Sequence, residues 1–418
     1  MTEKLQAFIN NTFFFYFLFA LIFGLLLYGT IGFDGMDEIC AFVLLVFFIY
    51  IIFKTSDWYV DKSFLITLGI FLFYLFYSFY IGSNTKKAII SDFIIQFKPY
   101  LAFFSVYYMK PSFNNNQKSL LRIICMFFWL ILLGIGCLSL INTKIIDNLM
   151  FHVSFYAACV IALSFIYYYC GGDYRKDKWI FIIMLSVGLF STRSKFYGFF
   201  MLAIMFMIFS PYIKNIKLNL KAIVLSLIVL AAIILAGWQK LELYFAIGGD
   251  INDVETGLLA RLTLYMTSIE VLQDYFPFGS GFASFASYSS GVYYSPLYAK
   301  YGIDKVWGMN SSDYSYIADT YYPCLAQFGL VGIFLFIYFF FFISRKAFLI
   351  FQKTQEPKNL IISLLIIGYF LIESIADATF TGHRGLFMMM ILGLVFANRN
   401  NTQTSHQNQI SPTPNNLR

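Results

Sequence analysis

The chain has 418 residues, of which 60% are hydrophobic, 21% aromatic and only 12% charged, with a formal net charge of +7 at pH 7. Soluble domains carry roughly a quarter of their residues as Asp, Glu, Lys and Arg, so this composition excludes a soluble globular protein. The basic residues are spread over short polar stretches instead of forming a stripe, which argues against nucleic acid as a partner. We therefore expect an all-α, polytopic integral membrane protein.

Twelve apolar runs are candidates for membrane-spanning helices, because a span needs about twenty mainly apolar residues. Four of these runs are short for a full span, so ten to twelve crossings are expected. In chain order the runs lie at 13–31, 39–53, 63–82, 93–109, 120–141, 150–170, 178–191, 196–211, 222–238, 322–343, 359–378 and 385–397.

These runs divide the chain into four regions. Residues 1–238 are expected to hold the first nine helices, and 239–321 a single large, tyrosine-rich loop outside the membrane. Residues 322–397 would hold the last three helices, and 398–418, rich in Asn, Gln, Ser and Thr, a disordered tail. Lys and Arg in short loops favour the cytoplasm, and their distribution predicts both termini inside and the large loop on the far side.

Charged residues next to apolar runs are costly in lipid unless something opposite in charge meets them. Arg193 and Lys195 lie in the short turn Ser191-Thr192-Arg193-Ser194-Lys195, at the far face in this topology. Glu373 and Asp377 lie one helical turn apart in the eleventh run and should face a cavity or pair with a basic neighbour such as Arg384.

Two further sequence pieces lie in the large loop. The first, Gly257-Leu258-Leu259-Ala260-Arg261, is near its start, and the second is the stretch from Asp274 through Pro277 and Gly279-Ser280-Gly281 to Phe282. The chain returns to the membrane after Asp319-Thr320-Tyr321-Tyr322, with a helix that contains Gly329-Leu330-Val331-Gly332.

Most familiar catalytic motifs are missing. The sequence has no nucleotide-binding glycine motif, HExxH metal site, GxSxG elbow or EF-hand loop. Its three histidines, His152, His383 and His406, are far apart in the chain. A histidine-based metal site or a Ser/His/Asp triad is therefore not expected.

The order of the three pieces resembles the bacterial O-antigen ligase and Wzy-type polysaccharide polymerase superfamily. Its members have ten to fourteen helices, a Ser-Arg element at the outer end of a mid-chain hairpin, and a large periplasmic loop late in the chain. In the loop an Arg is followed by a proline and a Gly-x-Gly, and the return helix begins Gly-x-x-Gly. The resemblance in motifs covers residues 179–343. The ligase branch has His-Asn where this chain reads Asp319-Thr320, which favours the polymerase branch.

The resemblance implies a metal-independent glycosyltransferase of the bacterial inner membrane that needs no cofactor. Such an enzyme transfers a growing glycan from undecaprenyl pyrophosphate onto a lipid-linked oligosaccharide repeat unit. Its partners would be these lipid-linked oligosaccharides, membrane lipids and a chain-length regulator protein. Two alternatives stay open: a ligase that transfers the glycan to lipid A core, and a lipid-linked oligosaccharide flippase or other transporter.

The resemblance also implies roles for individual residues. Arg193 and Arg261 are expected to neutralise the departing pyrophosphate, since arginine offers bidentate donors and a permanent charge. Asp319 is the expected general base, although nearby arginines are expected to lower its pKa. The alternative is a neutral mechanism in which the acceptor loses its proton late, to water or phosphate. The loop tyrosines would present ring faces to sugars. The expected substrate-binding residues are Lys195, Asp313, Arg384, Tyr321 and Tyr322.

Each role has a purely structural alternative. Arg193 and Lys195 could be anchors that reach lipid headgroups, and Arg261 could pair with Glu255 or Glu270 at the surface. The two loop aspartates could cap helices or sit in water. The tyrosines could form an interfacial aromatic belt.

Overall fold

The computed structural model describes residues 2–33, 35–55, 61–209 and 256–397. These ranges contain helices and connecting segments, and no β-strand. The main helices, numbered in chain order, are α1 (Glu3–Leu21, prolonged by a π-helical turn at Ile22–Leu26), α2 (Met36–Lys54), α3 (Lys62–Ile81), α4 (Lys86–Met109), α5 (Asn115–Ser139), α6 (Val153–Cys170), α7 (Tyr174–Ser186), α8 (Ser194–Phe209), α9 (Thr256–Asp274), α10 (Gly329–Thr354), α11 (Pro357–Glu373) and α12 (His383–Ala397).

Short helices connect several of these elements. They are α-helical turns at Tyr28–Ile31, Ile145–Met150, Tyr288–Val292 and Leu297–Lys300, and 3₁₀ turns at Val187–Ser191, Ile303–Lys305 and Pro323–Phe328.

The expectation of an all-α fold is confirmed for the described residues. Within the described ranges, seven helices are long and apolar enough to cross a membrane: α1 with its π-helical turn, α2, α3, α4, α5, α6, and α10 with the 3₁₀ turn before it. Eleven of the twelve predicted runs coincide in position with helices. The ninth run, 222–238, the first part of the loop, 239–255, and the tail, 398–418, lie outside the described residues.

The helices alternate in direction, so that the connections gather at two ends of the bundle. At the end that we call the lower end, Gln6 of α1 donates to the carbonyl of Lys110, and Lys358 of α11 donates to the carbonyl of Gly171. At the opposite, upper end the ring of Tyr28 stacks on His383, with centroids 3.8 Å apart. Short connections between antiparallel neighbours produce this arrangement.

The centre of the bundle consists of α6 and α12. Every residue of α12 and nearly every residue of α6 is buried, and α12 packs along α4. A helix that is apolar on all sides needs protein or lipid around its whole circumference. The outer helices instead keep large apolar side chains exposed, such as Phe42 on α2 and Phe76 on α3.

A buried charge group crosses from α4 to α2. Lys98, the residue before Pro99 inside α4, contacts Asp37, and its Nζ lies 2.7 Å from Glu38 Oε1. Lys98 and Asp37 are 2% and 4% exposed. Asp37 lies in the first turn of α2, where Lys98 compensates its charge.

The loop after α9 has a small core of its own. Residues of α9, such as Leu264, pack with Phe285, Tyr298 and Ile317. Polar side chains at the upper end of α3 and α4 hold this loop, because Ser83 donates to the carbonyl of Phe282 and Asp92 accepts the Ala283 N–H at 2.7 Å. The loop is therefore fixed to the upper end of the bundle.

Glycines let the loop and the return helix touch. Gly279 has φ +79°, and an added Cβ would lie 2.2 Å from the Gly329 nitrogen. The N–H of Gly281 donates to the carbonyl of Gln327 at 2.8 Å. The Gly-x-Gly of the loop and the first glycine of the return helix thus allow two backbones to approach, which side chains would prevent.

Candidate functional site

The turn between α7 and α8 brings two cations to the upper end. Helix α7 tightens into the 3₁₀ turn Val187–Ser191, and Thr192 then adopts a left-handed conformation with φ +53°. This conformation ends the helix. Helix α8 begins at Ser194, so that Arg193 and Lys195 lie on either side of its start.

Arg193 and Lys195 both meet Glu373 at the end of α11. The distances to Glu373 Oε2 are 3.2 Å from Arg193 Nη2 and 3.3 Å from Lys195 Nζ. Glu373 is only 2% exposed, and a buried carboxylate requires such partners. Arg193 Nη2 also lies 3.5 Å from Asp377 Oδ2. The interpretation of Arg193 and Lys195 as headgroup anchors alone is therefore too simple.

The chain after α11 offers carbonyl groups to the same region. Lys195 Nζ donates to the carbonyl of Ala376 at 2.7 Å, and the Tyr265 hydroxyl donates to that of Ile375 at 2.7 Å. Helix α11 ends at Glu373, and the last carbonyls of a helix favour cations. Asp377 consequently lies beyond the helix, in the connection to α12, and not inside a helix as the eleventh run predicted.

Arg384, in the first turn of α12, pairs with Asp377. Its Nη1 and Nη2 lie 3.0 and 2.7 Å from the two carboxylate oxygens. This is the bidentate geometry in which guanidinium and carboxylate bind most strongly. The expected pairing of Arg384 with an acid of the eleventh segment is thus found at Asp377, whereas Glu373 pairs with Arg193 and Lys195.

Arg261, on α9, pairs with Asp319. Arg261 Nε lies 2.6 Å from Asp319 Oδ2, and Nη2 contacts the same oxygen. The guanidinium also lies over the ring of Tyr316, 6.0 Å from its centroid. Burial raises the pKa of Asp319 above its usual value, and the charge of Arg261 opposes but does not cancel this shift. The expected lowering of this pKa by arginine is thus outweighed by desolvation.

Together these side chains form a charge cluster at the upper end, consisting of Arg193, Lys195, Arg261, Asp319, Glu373, Asp377 and Arg384. Asp319 interacts electrostatically with Lys195 and Asp377. The Arg261–Asp319 pair therefore belongs to the same cluster as the ion pairs of Glu373 and Asp377. Four cations and three carboxylates leave one net positive charge among the described residues. The cluster is only partly exposed, so its charges act through a medium of low dielectric constant.

Several buried polar atoms beside the cluster have spare hydrogen-bonding capacity. Thr320 Oγ1, Ser374 Oγ, Thr379 Oγ1 and Arg384 Nε have no hydrogen-bond partner among the described residues. Buried polar groups are usually paired. The net positive charge of the cluster is what suits it to an anionic ligand.

The other expected site residues have different positions. Tyr321 is buried in the bundle core, with its backbone N–H donating to the Ser374 carbonyl at 3.2 Å. The Tyr322 hydroxyl donates to the carbonyl of Leu371. Asp313 accepts from the N–H of Ser315 within a local turn of the loop. Tyr321 and Tyr322 therefore attach the loop to α11, and Asp313 closes a local turn without capping a helix.

Two histidines come to the upper end from distant parts of the sequence. His383 lies between Tyr28 and Phe155, and its Nε2 is buried without a hydrogen-bond partner among the described residues. His152 lies within electrostatic range of Arg193, Arg384 and Asp377. The N–H of Ser154 donates to His152 Nδ1, so the neutral ring carries its proton on Nε2. The sequence did not identify either histidine as part of the site, because the two are far apart in the chain. The only signal was that His383 directly precedes Arg384.

The described residues hold no group of three or more His, Cys, Asp or Glu side chains that could bind a metal ion. Comparisons with models of protein families, with curated proteins and with solved structures find no match for this chain.

Proposed function

We propose that the protein is a polysaccharide polymerase of the bacterial inner membrane. It would transfer a growing glycan from undecaprenyl pyrophosphate onto the terminal sugar hydroxyl of a second lipid-linked repeat unit. The observation that supports this most is the charge cluster, because it places four cations beside a loop rich in tyrosine at one end of the bundle.

Pyrophosphate is a good leaving group once its negative charge is stabilised. Arg193, Arg261 and Arg384 offer planar donors that match phosphate oxygens, and Lys195 adds a point charge. Preorganised cations at the position where charge develops are commonly the largest catalytic contribution. In the structure the carboxylates of Glu373, Asp377 and Asp319 hold these cations in place, and phosphate oxygens would share them when the donor binds.

Proton removal from the acceptor hydroxyl is assigned in this proposal to Asp319. Burial raises the pKa of this carboxyl, which makes the carboxylate a stronger base than one in water. Tyr316, under the Arg261 guanidinium, provides a ring face beside it on which a sugar could stack.

The proposal includes a topology of twelve crossings, with both termini cytoplasmic and the upper end periplasmic. The alternation of the described helices supports it. Helix α8 runs from the upper end towards the lower end, antiparallel to α11, with Leu202 next to Gly368. Arg261, on α9, is again at the upper end, as the proposed ninth crossing between α8 and α9 requires. A chain-length regulator protein would contact the enzyme from the same side.

The test uses purified protein in lipid nanodiscs supplied with lipid-linked repeat units. A polymerase produces a ladder of longer lipid-linked glycans, and the Arg193→Ala variant should lose it. In cells, removal of a polymerase leaves single repeat units attached to their acceptor, whereas removal of a flippase leaves almost none. Glycan transfer to lipid A core by the purified protein, without a ladder, would replace this proposal with the ligase.

A further inference from the structure

A cavity of about 650 Å³ opens at the lower end of the bundle, opposite the charge cluster. It lies where α1, the connection from α4 to α5, the start of α5, the end of α10 and the start of α11 meet. Phe113, Tyr169 and Val395, which are buried, form its floor. Its volume is that of a small-molecule site, and the proposed polymerase reaction does not use it.

Two lysines line this cavity without a carboxylate partner. Lys358 Nζ donates to the carbonyl of Gly171 at 2.7 Å, and an ammonium group has further protons to donate. The side chain of Lys118, half-buried near the start of α5, forms no ion pair or hydrogen bond with any residue that the structure describes. The two lysines also repel each other electrostatically.

The nearby carboxylates compensate these lysines only in part. Asp177 is buried and is paired with Arg122, whose Nη2 lies 3.3 Å from Asp177 Oδ1. Glu356 lines the cavity from an exposed position and forms no ion pair within the described ranges. Among the described lining residues, the two lysines and Glu356 are the charged ones, which leaves one net positive charge.

The carboxamide groups of the cavity add donors to this positive charge. Asn10 Oδ1 accepts the N–H of Ser112 at 2.9 Å, and Asn114 Oδ1 accepts the N–H of Gln117 at 2.8 Å. A backbone N–H can only donate, so these contacts fix which end of each carboxamide is the oxygen. The NH₂ groups of Asn10 and Asn114 are then left as donors.

The same reasoning fixes a third carboxamide. The N–H of Asn114 donates to Gln117 Oε1 at 2.9 Å, so the Gln117 nitrogen is the atom that faces Asn11, and it donates to Asn11 Oδ1 at 3.4 Å. Asn11 therefore also keeps its NH₂ group. The three asparagines all line the cavity, and within the described part of the chain their NH₂ groups have no acceptor.

We propose that this cavity binds a phosphate-bearing ligand, whose oxygens accept from the two lysines and from the NH₂ groups of Asn10, Asn11 and Asn114. An ionised phosphate monoester has only acceptor oxygens and a charge of about −1.5 to −2 at pH 7, which matches a lining of donors and cations. A neutral sugar needs acceptors for its hydroxyl protons, and the carboxamide oxygens of these asparagines and of Gln117 are already engaged.

The phosphate can belong to a soluble metabolite or to the headgroup of an anionic phospholipid, since both present the same group at the end of a membrane-spanning bundle. The volume of the cavity leaves room for the rest of a small molecule or headgroup. This inference does not depend on the proposed polymerase activity.

The experiment measures binding by the purified full chain in detergent, in two arms. The soluble arm titrates glycerol 3-phosphate by isothermal titration calorimetry, with glycerol as the uncharged control. The lipid arm uses native mass spectrometry to compare retention of phosphatidylglycerol with that of phosphatidylcholine, whose choline cation offsets the phosphate charge. Saturable binding in the soluble arm assigns a soluble ligand, and an at least tenfold preference for phosphatidylglycerol in the lipid arm alone assigns a headgroup. No binding in either arm overturns the proposal.

A matched pair of substitutions distinguishes the cavity from the charge cluster, which is also cationic. Asn10→Asp keeps the oxygen that accepts from Ser112 but replaces the NH₂ group with a second carboxylate oxygen, and should weaken binding at least tenfold. Asn142→Asp makes the same change in a turn at the upper end, where Asn142 Oδ1 accepts the N–H of Lys144 at 3.1 Å, and should leave the affinity within twofold. Unchanged affinity in Asn10→Asp, or equal losses in the two variants, would contradict the proposal.

Lys118→Gln is a second, independent variant, because it removes a cation that has no partner in the described ranges and should leave the fold intact. It should also weaken binding at least tenfold. Lys176→Gln removes an 83% exposed cation at the same end but outside the cavity, and should leave the affinity within twofold. Wild-type affinity in Lys118→Gln would show that the proposal is wrong even if Asn10→Asp does not fold. Neither measurement involves glycan transfer, so failure of the polymerase proposal would leave this result unaffected.

Discussion

Arg193 Nη2 lies 3.2 Å from Glu373 Oε2, and this contact joins the start of α8 to the end of α11 at the upper end of the bundle. Glu373 is almost fully buried and holds two cations at once. The arginine is therefore oriented before any ligand arrives. Orientation in advance lowers the reorganisation that phosphate binding would otherwise require.

Removing the charge of Arg193 should impair polymer formation. Charge-assisted hydrogen bonds are worth roughly 1.5–3 kcal/mol each, so Arg193→Ala should reduce the rate by about ten- to a hundredfold. Arg193→Lys should recover only part of it, because lysine lacks the planar fork. The rate is measured from the glycan ladder of the purified protein. Lys176→Ala, which removes an 83% exposed cation at the lower end, is the control. A wild-type ladder from Arg193→Ala would remove this arginine from the mechanism.

The sequence predicted the helices better than the contacts between them. Apolar runs are recognisable because a bilayer sets their length and composition, and costly charges such as Arg193 and Glu373 were identified as needing partners. The actual pairs depend on which helices become neighbours, which periodicity alone does not determine. Lys98, for example, lies in the fourth apolar run and Asp37 just before the second, and nothing in the sequence indicates that they meet inside the bundle.

The same limit applies to the contacts of the loop. Tyr321 and Tyr322 were expected to bind substrate. In the structure their hydroxyls donate to Gln96 Oε1 and to the Leu371 carbonyl, contacts that the sequence does not indicate. The arrangement of Gly279 against Gly329 is a contact between distant backbones. Local sequence indicates that a glycine is present but not which backbone it must approach.

Lys98 should be essential for stability. Removing one partner of a buried ion pair leaves an uncompensated charge and costs about 3–5 kcal/mol, so Lys98→Met should strongly lower the thermal unfolding midpoint in detergent. Lys86→Met, at the exposed start of the same helix, is the matched control and should change it little. Adding Asp37→Asn to Lys98→Met should restore part of the loss. An unchanged midpoint in the single variant would show that Lys98 does not compensate Asp37.

Gly279→Ala should detach the loop from the return helix. Both Gly279 and Gly302 have positive φ, but only at Gly279 would a Cβ meet backbone atoms, since nothing lies within 4 Å of one at Gly302. Gly302→Ala should therefore cost only the strain of the left-handed conformation, about 1–2 kcal/mol. Gly279→Ala should cost more and make the loop sensitive to limited proteolysis. Equal sensitivity of the two variants would mean that the close approach to Gly329 is not required.

The proposed orientation predicts opposite labelling at the two ends of the bundle. Ser312 in the loop and Asn116 at the lower end are both exposed. In a background with Cys137, the exposed native cysteine, changed to Ala, Ser312→Cys should react with a membrane-impermeant thiol reagent in cells with a permeabilised outer membrane. Asn116→Cys should react only after cell lysis. The reverse result would place the charge cluster in the cytoplasm and remove the basis for a periplasmic enzyme.

The role of Asp319 can be tested through the pH dependence of the reaction. A general base must be ionised, so activity should fall as the pH decreases through the pKa of Asp319, which burial raises above its usual value. Asp319→Asn keeps the shape, removes the basicity and should abolish this acidic limb. General-base help is worth about a hundred- to ten-thousandfold, so the turnover rate should fall by at least a hundredfold at neutral pH.

Asp319→Asn also weakens the contact with Arg261, and its effect on substrate binding must be separated from its effect on the chemical step. Loss of a base lowers kcat, whereas a displaced Arg261 mainly raises KM for the lipid-linked donor. Asp313→Asn makes the same substitution in the same loop, where the carboxylate caps a local turn, and should leave both constants within about threefold, since surface substitutions of this kind usually change free energies by no more than about 0.5 kcal/mol. If Asp319→Asn retains kcat within threefold and keeps the acidic limb, the acceptor proton leaves by another route, to water or to a phosphate oxygen.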